Sequence, residues 1–469
     1  MKVTLYFPFL IGFAVLGCAT DSQIADATRS PEVPTNWQLQ QSQLAVNDNW
    51  LAEFKQPILA KLVHEALTSN RTLRQAAYDT EILEQRLVQS GAAFWPTLDL
   101  KLTSGRSQNA NTDVTANSHS IELNAGYEID IWGKLSNAEQ QANLIYLANK
   151  AQYQQSRLTL VADVVTNWFN LVTSKQLQSL AKRRVENARQ NLDIIESGYK
   201  QGLNGALDVY LSRNELNSEL SNLADQHTSL LQNARNLEKI LSRYPSGAIV
   251  SSAAQAELPL LDWAIPTGLP SDVMTRKPAL QASWYQVLAL DAAVAFAHKQ
   301  RFPSINLNAA ISDNSNELSD LLSGSSIAWS ILGSITAPLF RAGDLKANEE
   351  ISRLQLKQQE QLYVDTLYNA FAEVENGMTL EDSLKQSYQA TLNASQNARQ
   401  AETLSFEQYQ KGLVNYTTVL EAQGRSFDAQ SALIQLKNKL LANRVALYVA
   451  LGGDFSEPQN NQEDELINE

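Results

Sequence analysis

Cysteine is almost absent from the sequence, since Cys18 is the only one in 469 residues. A single cysteine cannot form an intrachain disulfide, so the fold must hold without a covalent cross-link. Histidine is also scarce, and none of His64, His119, His227 and His298 has a partner at the spacing of a metal site or a catalytic triad. The sequence contains neither a glycine-rich phosphate loop nor a nucleophile elbow. These absences predict a protein that is not an enzyme and holds no cofactor or metal ion.

Basic residues and long apolar runs are also lacking. The chain has 37 Lys and Arg against 50 Asp and Glu, a net charge of −13. Binding to a nucleic-acid backbone needs a basic face, so no nucleic-acid partner is expected. After the N-terminus, no stretch reaches the roughly 18 consecutive apolar residues that a membrane helix needs. If the mature chain enters a bilayer, it therefore does so as strands.

The N-terminus has the composition of a bacterial secretory signal. Residues 1–17 contain one Lys and then an apolar run too short to span a bilayer. The run ends in VLGC, which resembles the lipobox of bacterial lipoproteins; the alternative for Cys18 is a buried apolar thiol. Residues 1–17 are therefore predicted to be a lipoprotein signal peptide, and Cys18 the lipidated, palmitate-bearing first residue. In the sorting pattern of lipoproteins an Asp at the next position favours the inner membrane, so Ala19 favours the outer one.

The chain repeats itself. YKQGLNGALDV at 199–209 returns 210 residues later as YQKGLVNYTTV, and WGKL at 132–135 faces AGDL at the same offset. FWPTL at 94–98 faces RFPSI at an offset of 207. Two copies of one unit are therefore predicted, at 58–247 and 271–453. The remaining segments are an N-terminal periplasmic segment (18–57), a linker (248–270) and an acidic, disordered tail (454–469).

Each copy has the same order of periods. A helical segment ends before a proline, two strands of about ten residues follow, and a very long helix and a return helix complete the copy. The long helices place apolar and small residues at alternating steps of four and three, a pattern typical of closely packed helix pairs. At about 1.5 Å per residue, 65 residues extend close to 100 Å, deeper than any ordinary core. The predicted elements are helices 58–92, 134–198, 206–243, 271–300, 345–409 and 416–451, and strands 97–106, 120–131, 303–312 and 326–337, with polar loops at 107–119 and 313–325.

The predicted strands have one apolar and one polar face. In YEIDIWGKL at 127–135, the Tyr and the Ile residues fall on one side of an extended chain and the acids on the other. A ten-residue strand of this kind fits a transmembrane β-strand, with its apolar side toward lipid and its polar side toward water. Glu122, Glu128 and Asp130 are therefore predicted to face a lumen.

Four strands cannot close a barrel, and an open sheet edge leaves backbone groups unpaired in hydrocarbon. The chain is therefore predicted to pool its strands with copies of itself, and three copies would supply twelve strands around a watery lumen. The predicted fold class is a mixed α and β membrane protein with internal structural duplication. The predicted assembly is a homotrimer with a twelve-stranded transmembrane β-barrel, four strands per chain, in outer-membrane lipid, continued by a long periplasmic α-helical barrel. A soluble β-sandwich is the alternative for such strands.

The order of these motifs resembles one known family. YEIDIWGKL is similar to the Tyr-Glu-x-Asp-x-Trp-Gly signature of bacterial outer-membrane efflux proteins, the TolC-like ducts of tripartite pumps, particularly their lipoprotein branch. The other marks are APLFRAG at 337–343, the paired Tyr-x-x-Gly turns and VALYVALGG at 445–453. The resemblance covers almost the whole mature chain. It implies an energy-independent outer-membrane exit channel for drugs or other small toxic solutes, which receives them from an inner-membrane RND-type transporter and a periplasmic adaptor protein.

The same resemblance implies roles for the turns at the far helix ends. The family's periplasmic gate falls here on Tyr409, Thr417 and Glu421. Thr417 departs from the bulky apolar residue often found there, and Gln410 replaces a common basic partner. Three copies of Glu421 near one axis would form an acidic ring that favours cations, whereas the alternative is a solvated carboxylate on a helix face. Adaptor contact is expected at the turn residues Tyr199, Gly202, Gly205, Asp208, Gly412 and Asn415.

Two other functions stay open at this point. The chain could be an exit duct for type I secretion of proteins, because the choice of cargo lies mainly in the inner-membrane partner. It could also be a lipid-anchored periplasmic coiled-coil scaffold with no pore. Heat-modifiable migration of a trimer and ion conductance distinguish a duct from a scaffold.

Overall fold

The structure is a computed structural model, and it describes residues 22–29, 32–39, 49–109, 114–260, 267–321 and 326–453. The predicted signal peptide, the predicted lipidation residue Cys18 and the acidic tail lie outside the described residues. The α-helices are α1 (Asp26–Arg29), α2 (Trp50–Glu53), α3 (Pro57–Ser69), α4 (Arg71–Gly91), α5 (Lys134–Lys200), α6 (Ala206–Ile240), α7 (Pro270–Arg276), α8 (Pro278–Lys299), α9 (Asp344–Gln410) and α10 (Tyr416–Ala450). The strands are β1 (Thr97–Asn109), β2 (Val114–Ile129), β3 (Ser304–Ser315) and β4 (Ile327–Thr336).

The four predicted strands are present and form one antiparallel sheet in the order β1-β2-β3-β4. Thr97 lies opposite Gly126 in the first hairpin, and Ser304 lies opposite Thr336 in the second. Strands β2 and β3 pair with each other and thereby join the two sequence copies. β1 and β4 are therefore the edges of the sheet.

The first hairpin is longer than predicted. Most of the polar stretch 107–119, predicted to be a loop, continues the pairing of β1 with β2, as in the pairs of Arg106 with Asn117 and Ser104 with His119. The prediction was wrong here because it relied on alternating apolar residues, whereas backbone hydrogen bonds between strands need no apolar side chain. β2 also ends at Ile129, two residues earlier than predicted.

Each helical segment before the strands is divided in two, where the prediction had one helix. In the first copy the break is at Asn70, whose backbone is extended and whose side-chain Oδ1 accepts a hydrogen bond from the Leu73 amide at 3.0 Å. Asn70 therefore caps the N-terminus of α4. In the second copy the break falls at Lys277 because Pro278 disfavours a helical residue before it.

The long helices confirm the duplication. α5 and α9 each have 67 residues, and α6 and α10 each have 35. The two members of each pair begin 210 residues apart, the offset found in the sequence motifs. None of the helices in the described part of the chain combines the length and apolar composition needed to cross a membrane.

The chain divides into two compact units that do not coincide with the two sequence copies. The first unit takes residues within 1–29, 89–141 and 287–360 and contains the sheet. The second takes residues within 30–88, 142–286 and 361–469 and contains most of the long helices. Each unit draws on both copies because strands and helices of one copy pair with those of the other, as β2 does with β3.

The largest apolar core lies in the second unit. It joins α2, α3, α5, α6 and α10 around Trp168 and Phe169, both fully buried. The ring of Trp50 stacks on that of Tyr448 with centroids 5.4 Å apart. Burial of one large apolar side chain contributes about 1.5–3 kcal/mol, so this cluster fixes the helices that carry the far turns.

Candidate functional site

The turn between α5 and α6 follows from its glycines. Gly202 has φ +74°, in the left-handed region where a side chain is strained. The amide of Leu203 donates to the carbonyl of Gly198 at 2.8 Å, which closes the end of α5 in the manner of a Schellman motif. At the start of α6 the amide of Gly205 donates to the Asp208 carboxylate at 3.3 Å. The predicted reversal of the chain is therefore built by these residues.

The turn between α9 and α10 has the same construction. Gly412 has φ +70°, and the amide of Leu413 donates to the carbonyl of Gln408 at 2.9 Å. Asn415 is the N-cap residue of α10, and its carbonyl accepts from the amide of Thr418 at 3.0 Å. The Tyr-x-x-Gly repeat in the sequence thus specifies two equivalent turns.

The side chain of Tyr409 joins the two turns. Its hydroxyl donates to Asn204 Oδ1 at 3.1 Å, and the amide nitrogen of Asn204 donates to the carbonyl of Ile195 at 3.1 Å. The ring of Tyr416, buried at the start of α10, lies 5.5 Å from that of Tyr409, and its hydroxyl donates to Ser212 Oγ at 3.2 Å. Two tyrosines of the second copy are therefore hydrogen-bonded to the first copy.

A small apolar cluster supports these tyrosines. Ile195, Val209, Tyr416 and Val419 are buried together, and Tyr409 packs against them. Burial raises the pKa of Tyr409, and the nearby Asp208 carboxylate raises it further. Burial raises the pKa of Tyr416 as well, although the hydrogen bond with Ser212 opposes the increase. Both phenols therefore stay protonated at neutral pH and keep their donor hydrogens.

The three predicted gate residues differ in exposure. Tyr409 is bonded within the chain, whereas Thr417 and Glu421 are exposed on α10. Their spacing of four places them on one side of that helix. Among the described residues, no group of three or more His, Cys, Asp or Glu side chains is arranged to hold a metal ion.

Several residues of this site were missed from the sequence. Asn204 and Ser212 carry no signal of their own, because their partners are more than 200 residues away. Leu203 and Leu413 are largely exposed at equivalent positions of the two turns, and the repeated Gly-Leu pair could have indicated them. Of the predicted adaptor contacts, Tyr199 is half exposed.

The predicted lumen acids lie at one end of the sheet or on its polar face. Glu122 is opposite Lys101 on β1, and Glu128 forms an ion pair with Lys134 at 2.5 Å. Asp130 is not a strand residue, contrary to the prediction. Its carboxylate accepts from the amides of Leu135 at 3.0 Å and Ser136 at 2.8 Å. Asp130 therefore caps the first turn of α5 by accepting from its free amides, and β2 ends just before it at Ile129.

The other face of the sheet is apolar and exposed. The register places the apolar residues of neighbouring strands side by side, as with Leu100 and Leu123. On the edge strands these side chains are largely exposed: Leu98, Leu100, Leu102, Ile327, Trp329, Ile331 and Ile335. A continuous exposed apolar face on both edge strands indicates a contact with lipid or protein.

Comparison with known proteins identifies a related family. The family described as outer membrane efflux protein matches residues 62–243 and 269–453. The matched segments make up most of the chain and include all four long helices.

Named relatives align with most of the chain. The cation efflux system protein CusC of Escherichia coli O6:H1 is 28% identical over 468 residues, which cover 96% of this chain and 98% of CusC. The toluene efflux pump outer membrane protein TtgI of Pseudomonas putida is 29% identical over 416 residues, 87% of each chain. The probable outer membrane lipoprotein SilC of Salmonella typhimurium is 28% identical over 461 residues, 95% of this chain and 97% of SilC.

The fold matches a solved structure as well. A crystal structure of CusC, from work on its folding and transmembrane channel formation, aligns with a TM-score of 0.81 and 26% identity. The alignment covers 93% of this chain and 99% of that one. The predicted fold class is therefore confirmed, with a four-stranded antiparallel sheet and two pairs of long helices shared with a channel-forming protein.

Proposed function

The chain belongs to the outer membrane efflux protein family, and we propose that three copies of it form a passive duct through which small toxic solutes leave the cell. It is an outer-membrane efflux channel that extends into the periplasm, as its relatives are. We further propose that an inner-membrane RND-type transporter and a periplasmic adaptor deliver the solutes. Movement through such a duct needs no catalytic group.

The sheet of the first unit carries this function. It is apolar and exposed on one face and polar on the other, and each edge strand pairs with only one of the described strands of its own chain. Backbone groups on such edges need partners in hydrocarbon. Three chains supply twelve strands, enough to enclose water, with Glu122 and Glu128 on the inner, polar face.

The names of the relatives favour small solutes over proteins as the exported cargo. CusC is named for cation efflux and TtgI for toluene efflux, and both kinds of solute are far smaller than a secreted protein. A scaffold that stays in the aqueous periplasm would expose the apolar face of the sheet to water, which is unfavourable. We therefore favour a solute duct over a secretion duct and over a scaffold.

Planar-bilayer recording on the purified full-length chain tests the duct. We expect a heat-modifiable trimer in detergent and ion conductance in the bilayer. A folded trimer without conductance, both in the wild type and after Tyr409→Phe, would contradict a duct and favour the scaffold. Export is tested in cells that lack the chain by restoring it and measuring the intracellular accumulation of toluene and of cations. A secreted protein retained in the periplasm without the chain, with solute accumulation unchanged, would favour type I secretion.

We propose that the joined turns form the closed gate. Tyr409 ties the α9 end to the turn after α5, and Tyr416 ties the start of α10 to α6. Opening requires these hydrogen bonds to break. In a trimer, Thr417 and Glu421 would line the constriction from α10. The adaptor would be met by the exposed residues Tyr199, Gly202, Gly205, Gly412 and Asn415 and by the half-buried Asp208 in the first turn of α6.

We also propose that Cys18 is lipidated. The amide of Gln23 donates to Asp291 Oδ1 at 2.7 Å, and that of Ala25 to Glu360 Oε1 at 2.6 Å. Five residues span at most about 18 Å from Gln23 to Cys18. Asp291 lies eight residues, or about 12 Å, from the end of α8 at Lys299, where the sheet follows. An acyl chain on Cys18 can therefore reach the lipid next to the sheet.

A further inference from the structure

Aromatic side chains flank one end of the sheet. Because the four strands are antiparallel and in chain order, the start of β1, the end of β2, the start of β3 and the end of β4 share this end. The aromatic residues just before or after these strand ends are Trp95, Trp132, Phe302 and Phe340. At the opposite end, residues 103–109, 114–120 and 312–320 include no Trp, Tyr or Phe.

The aromatic end of the sheet is the one from which the long helices leave, since α5 follows β2 and α9 follows β4. In the outer-membrane channel these helices extend into the periplasm. Aromatic residues concentrate where a bilayer meets water, so this end of the sheet marks the level of the lipid head groups on the periplasmic side.

A cavity of about 640 Å³ opens at the aromatic end of the sheet, a size typical of small-ligand sites. The rings of Trp132 and Phe302 form part of its wall, with centroids 5.3 Å apart. Trp132 Nε1 donates to the carbonyl of Pro303 at 2.7 Å, which fixes the indole there. The wall also includes Leu339, 94% exposed, and Phe340, 86% exposed. One side of the cavity is therefore apolar and open.

Three cations and two carboxylates also line the cavity, and both carboxylates already have partners in the chain. Glu128 forms an ion pair with Lys134 at 2.5 Å. Asp130 accepts from two amides in the first turn of α5. The charges without a carboxylate partner in the cavity are therefore those of Lys299 and Arg341.

Lys299 and Arg341 are both available to an anion. Lys299 Nζ lies 3.4 Å from the carbonyl of Gly133, which is long for a hydrogen bond. Arg341 is exposed, and within the described ranges its guanidinium has neither an ion pair nor a side-chain hydrogen bond. An ammonium and a guanidinium on one cavity suit a phosphate group, which Arg binds with two parallel hydrogen bonds and Lys as a point charge.

We propose that this cavity binds the head group of an anionic phospholipid, with the phosphate held by Lys299 and Arg341 and the acyl chains along Leu339 and Phe340. The proposal rests on the placement of the sheet in the outer membrane. A lipid suits the cavity better than a free anion, because a free anion leaves the exposed Leu339 and Phe340 uncovered.

Lipid binding to the purified full-length protein tests the site. The protein is stripped of lipid in a neutral detergent, and bound phosphatidylglycerol or phosphatidylcholine is counted by native mass spectrometry. We expect up to three phosphatidylglycerol molecules per trimer, bound more tightly than phosphatidylcholine. Arg341→Gln should weaken phosphatidylglycerol binding about fivefold, and adding Lys299→Gln should weaken it about fivefold again. Arg341→Lys keeps the charge and should weaken it less than Arg341→Gln.

Lys101→Gln is the matched control, because it removes one positive charge from within β1, outside the cavity. Arg341→Gln alone guards against misfolding of the double variant, since it breaks no side-chain bond among the described residues. Equal weakening by Lys101→Gln and Arg341→Gln would overturn the inference and leave only an effect of net charge. Equal affinity of a conducting wild-type trimer for the two lipids would also overturn it while the duct stands. A wild-type chain that forms no trimer would contradict the duct itself.

Two other anions distinguish other occupants of the cavity. Inorganic phosphate at the concentration of the lipid should not displace phosphatidylglycerol from the wild type. Benzoate should affect the conductance of wild type and Arg341→Gln alike in bilayers of phosphatidylcholine. Displacement by phosphate would show a site for a free anion. Block of the wild type alone by benzoate would show a site for an exported organic anion, and either result would overturn the lipid site.

Discussion

The hydrogen bond between Tyr409 and Asn204 joins two turns through single side-chain atoms. Replacing Tyr409 by Phe keeps the ring against Tyr416 and removes only the donor. One hydrogen bond contributes about 1 kcal/mol, so the closed state should weaken about fivefold per chain. We expect a higher open probability in planar-bilayer recordings. Tyr210→Phe, on an exposed tyrosine of α6, is the matched control. If wild type and Tyr409→Phe have identical conductance and open probability, the Tyr409 hydroxyl does not hold the gate closed.

Glu421 is exposed on α10. In the trimer that we propose, its three copies would lie near the axis. Neutralising an acidic ring reduces the attraction for cations. Glu421→Gln should therefore shift the reversal potential of a potassium chloride gradient toward lower cation preference. Asp225→Asn, on an exposed carboxylate in the middle of α6, should leave the reversal potential unchanged. Equal shifts in both variants would mean that Glu421 acts only through net charge.

At the scale of helices, the two copies place different kinds of side chain at one pair of equivalent buried positions. Glu381 on α9 and Arg444 on α10 form an ion pair at 2.5 Å with both side chains fully buried. The equivalent residues of the first copy, Leu171 and Ala234, are buried and apolar. Lys385 Nζ also lies 3.4 Å from Glu381, and Asn443 donates to the Glu381 carboxylate at 3.1 Å. Arg444→Ala removes the shorter ion pair of this buried carboxylate and should lower the free energy of unfolding by up to about 3–5 kcal/mol.

The double variant Glu381→Leu with Arg444→Ala copies the apolar solution of the first repeat. We expect it to recover much of the stability lost in Arg444→Ala, measured by denaturant unfolding of the protein in detergent. If the loss of stability in the double variant equals the sum of the losses in the two single variants, the second copy does not accept apolar packing at these positions.

The junction of α8 and α9 depends on Glu349. Its buried carboxylate accepts from Arg301 Nη1 at 2.8 Å and Arg353 Nη2 at 2.5 Å, and His298 Nδ1 lies 3.1 Å away. Burial alone would raise the pKa of Glu349, but the hydrogen bonds from Arg301 and His298 and the charge of Arg353 outweigh it and lower the pKa.

Because the pKa of Glu349 is lower in the folded state, protonation occurs first in the unfolded chain as pH falls. The stabilisation is therefore complete at neutral pH and is lost as pH falls through the carboxylate range. Glu349→Gln should lower the melting temperature at pH 7 and narrow its difference from wild type at acidic pH. Glu139→Gln, at the equivalent position of the first copy, is the control. If the difference in melting temperature between wild type and Glu349→Gln stays constant from pH 7 to 3, the charge of Glu349 does not stabilise the fold.

At the scale of the whole molecule, the two faces of the sheet predict where charge is tolerated. Ile331 lies on the exposed apolar face of β4, and the adjacent Ser330 on the polar face. A Lys facing the middle of a bilayer costs about 2–4 kcal/mol. Ile331→Lys should reduce the heat-modifiable trimer recovered from outer membranes, whereas Ser330→Lys should be recovered like wild type. Equal recovery of both variants would place neither face in lipid.

The sequence by itself determined the order of the strands and long helices, the duplication, the two faces of the strands and the turns at Gly202 and Gly412. Each of these depends on a local period or on one backbone angle, so a single stretch of sequence specifies it. Asp130 is the exception, because it caps α5 and is not a strand residue. A carboxylate at that spacing suits both a strand face and a helix cap, and only the position of the α5 amides decides between them.

Only the tertiary structure decided which residues of the two copies meet. Tyr409 with Asn204, Glu381 with Arg444 and the register of β2 with β3 all join residues far apart in the chain. Such pairs form because the packing of long helices and the closing of strand ladders bring their backbones together. No local pattern records that approach, since each side chain of a pair is equally compatible with many partners.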